Sequence, residues 1–302
     1  VSGFDLYVHN GKGKWQWIKQ TMPGAQHVES NLASGLSHEM REYCGFLPLY
    51  NGVTRLEIGV ESSAKFVPMP PRKEKPIVFY GTSICQGACA SRPGIAYTAI
   101  LNRMLEEPII NLGFSGAGKM DESVVDLLCE LDPSLYVIDC LPNMSIEQVA
   151  ERTPMLIKKI RMARPKTPIL LVEDRTFAQA PAFPEMMRAH EQRRMALRKA
   201  FEDGMNMGIT GLRYLRGDRL IGVDSEGTTD GSHPNDLGML RYAEALRPAE
   251  HGEQVGVGDR EFVAHEVRFP VELRLEPVEA AEERVGEGLL GVVAQLGVEE
   301  RA

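Results

Sequence analysis

Ile77-Val78-Phe79-Tyr80-Gly81-Thr82-Ser83 is the stretch on which the reading of the fold turns. An unbroken run of four apolar residues marks a strand buried on both faces. Gly-Thr-Ser then ends the run and leaves a hydroxyl where the chain leaves the sheet. Downstream the same unit recurs. Helix is expected over 96–105, 122–131, 146–163, 185–208 and 236–246, and strand over 108–112, 135–139, 169–173 and 212–215. Strands alternating with helices of this length predict a parallel sheet covered on both faces, a three-layer α/β/α domain over residues 77–250. Such sheets bind ligands at the carboxyl ends of their strands.

Upstream lies Pro68-Met69-Pro70-Pro71-Arg72-Lys73-Glu74-Lys75-Pro76, a proline-rich charged linker, taken as 69–76. Before it, residues 1–68 look all-β. Phe4, Leu6 and Val8 alternate with polar neighbours, Asn10-Gly11 makes a turn, Trp15 and Trp17 start a second strand, and 53–60 alternates again. This smaller β-sandwich-like domain reads as shortened at its start. Its few strands must complete a larger sandwich or pack on the α/β region that comes after them.

Residues 251–302 form an acidic extension with 12 acidic and 5 basic residues, which carries most of the net charge of -8. Val263, His265, Val267, Phe269, Val271, Leu273 and Leu275 alternate with polar residues there, the period of a long amphipathic strand. No catalytic constellation is read in this extension.

The acidic balance makes a nucleic-acid partner unexpected. No apolar run approaches the roughly 18–20 residues of a membrane span. Cys44, Cys85, Cys89, Cys129 and Cys140 show no disulfide or zinc spacing, so structural or free thiols are expected, with no metal and no cofactor. No signal peptide is visible, and the unpaired-looking cysteines favour a cytoplasmic location. The chain opens with Val directly in strand-like sequence, which is compatible with a missing upstream segment. The sequence does not fix the oligomeric state.

Four strand-end loops carry groups suited to chemistry. Ser83 follows the first strand of the sheet, where its hydroxyl faces the ligand crevice and its N–H can face a developing oxyanion. Taken alone, Gly-Thr-Ser reads first as an ordinary loop. Asp230-Gly231-Ser232-His233-Pro234 precedes the last helix. Its His suits a base, with a carboxylate three residues earlier able to fix the ring; a solvated turn is the plain alternative. Asn111-Leu112-Gly113-Phe114-Ser115-Gly116 follows the second strand, and its glycines let a backbone N–H approach a ligand. Asp139-Cys140-Leu141-Pro142-Asn143 follows the third, where Asn143 offers an amide donor or a helix cap. Glu173-Asp174-Arg175, after the fourth, reads as a polar substrate contact or a surface ion-pair cluster. His190 and Arg193-Arg194 read as a solvated helix face.

Ser, Gly, Asn and Asp-x-x-His in four successive loops resemble the SGNH (GDSL-like) hydrolase family over about residues 76–248. Gly3-Phe4-Asp5-Leu6-Tyr7, with Leu47-Pro48-Leu49-Tyr50-Asn51 and Glu57-Ile58-Gly59-Val60, resembles the subgroup with an N-terminal Gly-x-Asp-Leu-Tyr β-domain. The resemblance implies a flavodoxin-like sheet and a serine ester hydrolase working through an acyl-enzyme. Ser83 would be the nucleophile, His233 the general base and acid, and Asp230 the residue that orients it. The Ser83 N–H, the Gly116 N–H and the Asn143 side chain would form the oxyanion hole. Gly116 is preferred to Gly113 because the family glycine stands five residues after an Asn, here Asn111. Two departures stand out: Gly-Thr-Ser replaces Gly-Asp-Ser, and the third block keeps only its Asn. The subgroup implies acetyl or other short acyl groups on carbohydrate-like or similar polar molecules. An acyltransferase with the same groups, and a binding module that keeps the scaffold without catalysis, are the competing readings.

Overall fold

The computed structural model describes residues 2–247 and, as backbone, 292–299. The chain divides into two units. The first begins with β1 (Asp5–His9), β2 (Trp15–Gln20), β3 (His27–Ala33), β4 (Tyr43–Phe46) and β5 (Gly52–Gly59). β1 lies between β2 and β4, antiparallel to both, and it is the buried strand. Phe4, Leu6 and Val8 pack with Leu32 and Tyr43 in a small core. The Gly-x-Asp-Leu-Tyr motif has a structural reason at nearly every position. A Cβ on Gly3 would stand 1.8 Å from the Thr21 carbonyl oxygen. Asp5, fully buried, accepts from Trp17 Nε1 (2.6 Å), the Gly94 N–H (2.8 Å) and Arg92 (2.8 Å), and the Arg92–Gly94 segment groups with this unit. Leu6 enters the core, and the Tyr7 hydroxyl accepts from Arg92.

The second unit is the strand–helix alternation. In chain order it comprises β6 (Ile77–Gly81), α1 (Ser83–Gln86), α2 (Tyr97–Leu105), β7 (Ile109–Gly113), α3 (Glu122–Glu130), β8 (Leu135–Asp139), α4 (Ile146–Ala163), β9 (Ile169–Val172), α5 (Pro184–Asn206), β10 (Leu212–Leu215) and α6 (Asp236–Leu246). All five strands are parallel, in the order β10-β9-β8-β6-β7. This is the flavodoxin-like order, in which the chain runs first to one side of β6 and then to the other. The β6 run that reads as buried on both faces is so: Val78 and Tyr80 join the core with α3, α4 and α5, while Phe79 faces Tyr97 of α2. Tyr97 in turn stacks on Tyr242 of α6 at 4.6 Å. Both hydroxyls donate to Asp139, buried at the end of β8 (3.0 Å each), which ties α2 and α6 to the sheet end. Burial pushes the Asp139 carboxyl up to about 7, although the Tyr242 and Tyr97 hydrogen bonds pull against the rise.

β11 (Val292–Glu299) returns to the first unit and pairs antiparallel with β3 and with β5. Part of the acidic extension is therefore sheet. The amphipathic strand expected over 263–275 lies outside the described residues. Among the described residues, no helix is long and apolar enough to cross a membrane.

Candidate active site

The site is assembled from the loops at the carboxyl ends of β6, β7, β8 and β10. Thr82 caps the short α1 by accepting the Ile84 N–H on its Oγ1 (3.3 Å). That cap fixes Ser83 at the first position of α1. Ser83 is almost buried, and its Oγ stands 3.0 Å from Nε2 of His233, 150 residues later in sequence. Nδ1 of His233 stands 2.7 Å from Oδ2 of Asp230. The other oxygen of Asp230 accepts the backbone N–H groups of His233 (2.7 Å) and Ser232 (2.9 Å). Partial burial would raise the Asp230 carboxyl, but the bonds from the His233 backbone, the His233 ring and the Ser232 N–H bring it down to about 2. Asp230 is thus a carboxylate at any neutral pH, and it holds the ring with Nε2 turned to the serine.

The loop that carries the pair is braced on every side. The Thr229 N–H donates to the His233 carbonyl (3.0 Å), and Asn235 caps α6 by accepting the Gly238 N–H (3.0 Å). The Asn235 amide also donates to the carbonyls of Glu226 (2.7 Å) and Thr228 (3.2 Å). Gly231 adopts φ +85°, a left-handed backbone that favours glycine, and a Cβ there would also press on the movable end of the Gln179 side chain.

After β7 the chain packs tightly on the start of the Ser83 segment. The Phe114 N–H donates to the Gly81 carbonyl (2.9 Å) and the Ser115 N–H to Gln86 Oε1 (3.0 Å). Gly113 and Gly116 do different work. A Cβ on Gly113 would lie 2.1 Å from the Gln86 nitrogen, so Gly113 serves packing. Gly116 has φ +69° and open space where a Cβ would stand. After β8 the chain makes a 3-10 turn over Leu141–Asn143. Asn143 is not the cap of α4: Ser145 caps that helix, in a reciprocal pair with Gln148. The Asn143 Nδ2 is instead buried with no hydrogen-bond partner among the described residues. An orphaned buried amide donor is costly, and it marks a place where an acceptor is expected.

Two readings of the sequence need correction. Glu173, Asp174 and Arg175 are not a surface ion-pair cluster, and His190 and Arg193-Arg194 are not a solvated face. Glu173, Asp174, Arg175, His190 and Arg194 are all buried. Asp174 Oδ2 takes His190 Nδ1 (3.0 Å) and Arg193 (2.9 Å), Oδ1 takes Arg175, and the Asp174 carbonyl takes Arg194 (2.6 Å). Burial would raise the Asp174 carboxyl, but the charge of Arg175, the His190 hydrogen bond and the charge of Arg193 hold it at about 2. The polar period of α5 faces inward because buried carboxylates at the end of β9 receive it. Arg175, stacked on Phe177 at 4.6 Å, reaches the residue before the histidine, donating from Nε to the Ser232 carbonyl (3.0 Å) and from its other end to the Ser232 hydroxyl. No local signal in the sequence assigns Arg175 or Gln86 these contacts; both join segments distant in the chain.

The profile of the GDSL-like lipase/acylhydrolase family matches residues 74–249. The profile of the N-terminus of SGNH-hydrolase-type esterases matches residues 1–66. A Bacteroides ovatus protein described as a GDSL-like lipase superposes with a TM-score of 0.77 at 35% identity, covering 82% of this chain and 73% of its own. A salicylyl-acyltransferase from a tetracycline biosynthetic pathway shares the fold, with a TM-score of 0.57 at 17% identity, covering 82% of this chain and 72% of its own. A comparison with curated proteins finds no match. The profile spans the whole parallel-sheet unit and its strand-end loops, and the chain belongs to the GDSL-like lipase/acylhydrolase family.

Proposed function

We propose that the protein is a serine ester hydrolase acting on short acyl esters of carbohydrate-like or similar polar alcohols. One observation carries the reading: Ser83 Oγ, the His233 ring and Asp230 form a continuous relay of 3.0 and 2.7 Å contacts at the carboxyl ends of a parallel sheet. In this reading Ser83 Oγ attacks the ester carbonyl as its proton passes to His233 Nε2. The oxyanion forms within reach of the Ser83 N–H, the Gly116 N–H and the Asn143 amide, whose buried Nδ2 has no partner among the described residues. Collapse breaks the carbonyl–alkoxy bond, and His233 returns the proton to the departing alcohol. Water then repeats the sequence on the acyl-enzyme and frees the acid. Asp230 stays ionised throughout and stabilises the imidazolium that forms in each half.

Acyl transfer would use the same groups, with an alcohol in place of water. Following the acyl group by mass spectrometry, with and without acceptor alcohols, separates the two. The reading is tested with a panel of p-nitrophenyl esters and acetylated sugars. Wild type is expected to hydrolyse the shortest acyl groups best, and folded Ser83→Ala to lose about 10³-fold or more of the turnover. A folded Ser83→Ala protein that keeps more than about a tenth of it would remove Ser83 as nucleophile.

A further inference from the structure

Beside the catalytic pair stands a thiol that the reaction does not use. The Cys89 sulfur, a carboxylate oxygen of Asp230 and a ring nitrogen of His233 all lie within 4.8 Å of one another. Each is an established ligand type for zinc, whereas the harder cations prefer sites built from oxygen alone. The three are carried on anchored backbone. The Ala88 N–H donates to the Ser83 carbonyl (2.8 Å) and the Ala90 N–H to the Gly87 carbonyl (3.2 Å). The Ser91 N–H and hydroxyl are both bound to Asp236 (2.8 and 2.6 Å). Cys89 itself is exposed, so an ion can reach it.

We propose that Cys89, Asp230 and His233 form a site for a thiophilic divalent cation, Zn2+ by ligand chemistry, whose binding switches the serine site off. The thiol gives its proton to solvent and the thiolate takes the metal, with three protein ligands leaving a fourth position for water. Inhibition follows whichever ring nitrogen coordinates. Metal on Nδ1 forces the imidazole proton onto Nε2, which then faces Ser83 as a donor; metal on Nε2 occupies the lone pair that must accept the serine proton. Because the Asp230–His233 hydrogen bond must open to admit the ion, binding is weaker than at a closed four-ligand structural site.

The inhibition rests on the ester-hydrolase reading, but the binding does not. The test is calorimetric titration of the full chain with Zn2+ alone, beside ester turnover at the same Zn2+ concentrations, for wild type and Cys89→Ser. The expected result is one bound Zn2+ per wild-type chain, with turnover lost in step and restored by a chelator. Cys89→Ser should show unchanged basal turnover and need at least about tenfold more Zn2+ for both effects. Co2+ in place of Zn2+ should give a thiolate charge-transfer band that Cys89→Ser lacks. Equal binding and equal inhibition in the two proteins would overturn the site. Were neither protein to hydrolyse esters, the functional reading would fall while the calorimetry still decided the metal site.

A second inference has its own observation, the reach of Arg175 to Ser232. We infer that Arg175 is a positioning residue for His233. Its Nε binds the Ser232 carbonyl at 3.0 Å, its outer nitrogens bind the Ser232 hydroxyl and Asp174, and it is buried. The planar fork joins the rigid end of β9 to the residue next to the base. A lysine would keep the charge that Asp174 needs, yet its single nitrogen cannot span both partners. This role also rests on the hydrolase reading, so the readout includes the rate at which a fluorophosphonate labels Ser83, which requires no known ester. Arg175→Lys should label and turn over about 10-fold to 10²-fold more slowly, with KM within about twofold and a melting temperature near wild type, because a small misplacement of the base acts on the chemical step. Ser232→Ala, which removes only the hydroxyl contact, should show a smaller loss of the same kind. If both fold and both keep wild-type labelling rates, the fork is structural only. If wild type itself is not labelled, it is the functional reading that fails.

Discussion

Among the described residues, two aspartate–histidine pairs lie in the parallel-sheet unit, and their contact geometry is nearly the same. His233 Nδ1 meets Asp230 at 2.7 Å, and His190 Nδ1 meets Asp174 at 3.0 Å. Both carboxyls are held at about 2. The difference lies on the other ring nitrogen. In His233, which is partly exposed, it faces the Ser83 hydroxyl; in His190, which is fully buried, it accepts the Phe177 backbone N–H (3.4 Å). An imidazole fixed by a carboxylate becomes a base only where its second nitrogen meets a reacting proton. Sealed against a backbone amide, the same pair works as a structural tie between α5 and the end of β9.

Substitutions should separate the pairs cleanly. His233→Ala should cost about 10³-fold or more in turnover and leave the melting temperature close to wild type. Asn143→Ala should lower kcat by about 10²-fold to 10³-fold with KM nearly constant, since the amide meets its partner as the oxyanion forms. A rise in KM at constant kcat would make Asn143 a substrate contact instead. Asp230→Asn should cost less than His233→Ala but should lower the rate even where His233 is neutral. Wild-type activity should fall as His233 takes up a proton, because imidazolium cannot accept one from serine. The Asp230 carboxyl loses its own charge only as pH drops through about 2. An Asp230→Asn protein with wild-type rate and pH profile would reduce the relay to Ser83 and His233, with Asp230 merely closing a turn.

The buried pair should answer in the opposite sense. His190→Ala should cost about 1–3 kcal/mol of stability, read from denaturant unfolding, by leaving the buried Asp174 under-bonded. Turnover of the folded fraction should stay within about threefold of wild type, a change too small to reflect loss of a catalytic base. Smallest in its effect on turnover is Asp139→Asn, which should show itself in the pH dependence of stability. With the Asp139 carboxyl raised from an ordinary 3.8 to about 7, the folded state keeps a proton that the unfolded chain gives up. Wild-type stability attributable to this group therefore declines as pH rises from about 4 to about 7. Melting curves of Asp139→Asn across that window should lack the decline; parallel curves for the two proteins would contradict the protonated reading.

The parallel-sheet unit was legible because its signals are local. Each strand is a short apolar run and each helix a sustained period, and the observed bounds fall within a residue or two of those expected. The strand-end candidates stood out because such sheets collect chemistry at one edge, and the family resemblance ordered them. What escaped is long-range pairing. The polar period of His190, Arg193 and Arg194 looks like any solvated helix face, since nothing nearby announces a buried carboxylate 16–20 residues upstream. Cys85 and Cys89 looked alike in sequence, yet one is buried within α1 and the other is exposed beside His233. In the β unit, β3 is mostly polar and β4 spans only four residues, so neither declares itself by alternation, and β11 is placed by partners more than 230 residues away.

The central claim is that Ser83 is the group activated by His233. Incubation with a fluorophosphonate, followed by proteolysis and mass spectrometry, tests it without any assumption about the ester. A single adduct on Ser83 is expected, formed quickly in wild type and His190→Ala and slowly or not at all in His233→Ala. An adduct on another residue, or equal labelling of Ser83 with and without His233, would contradict it.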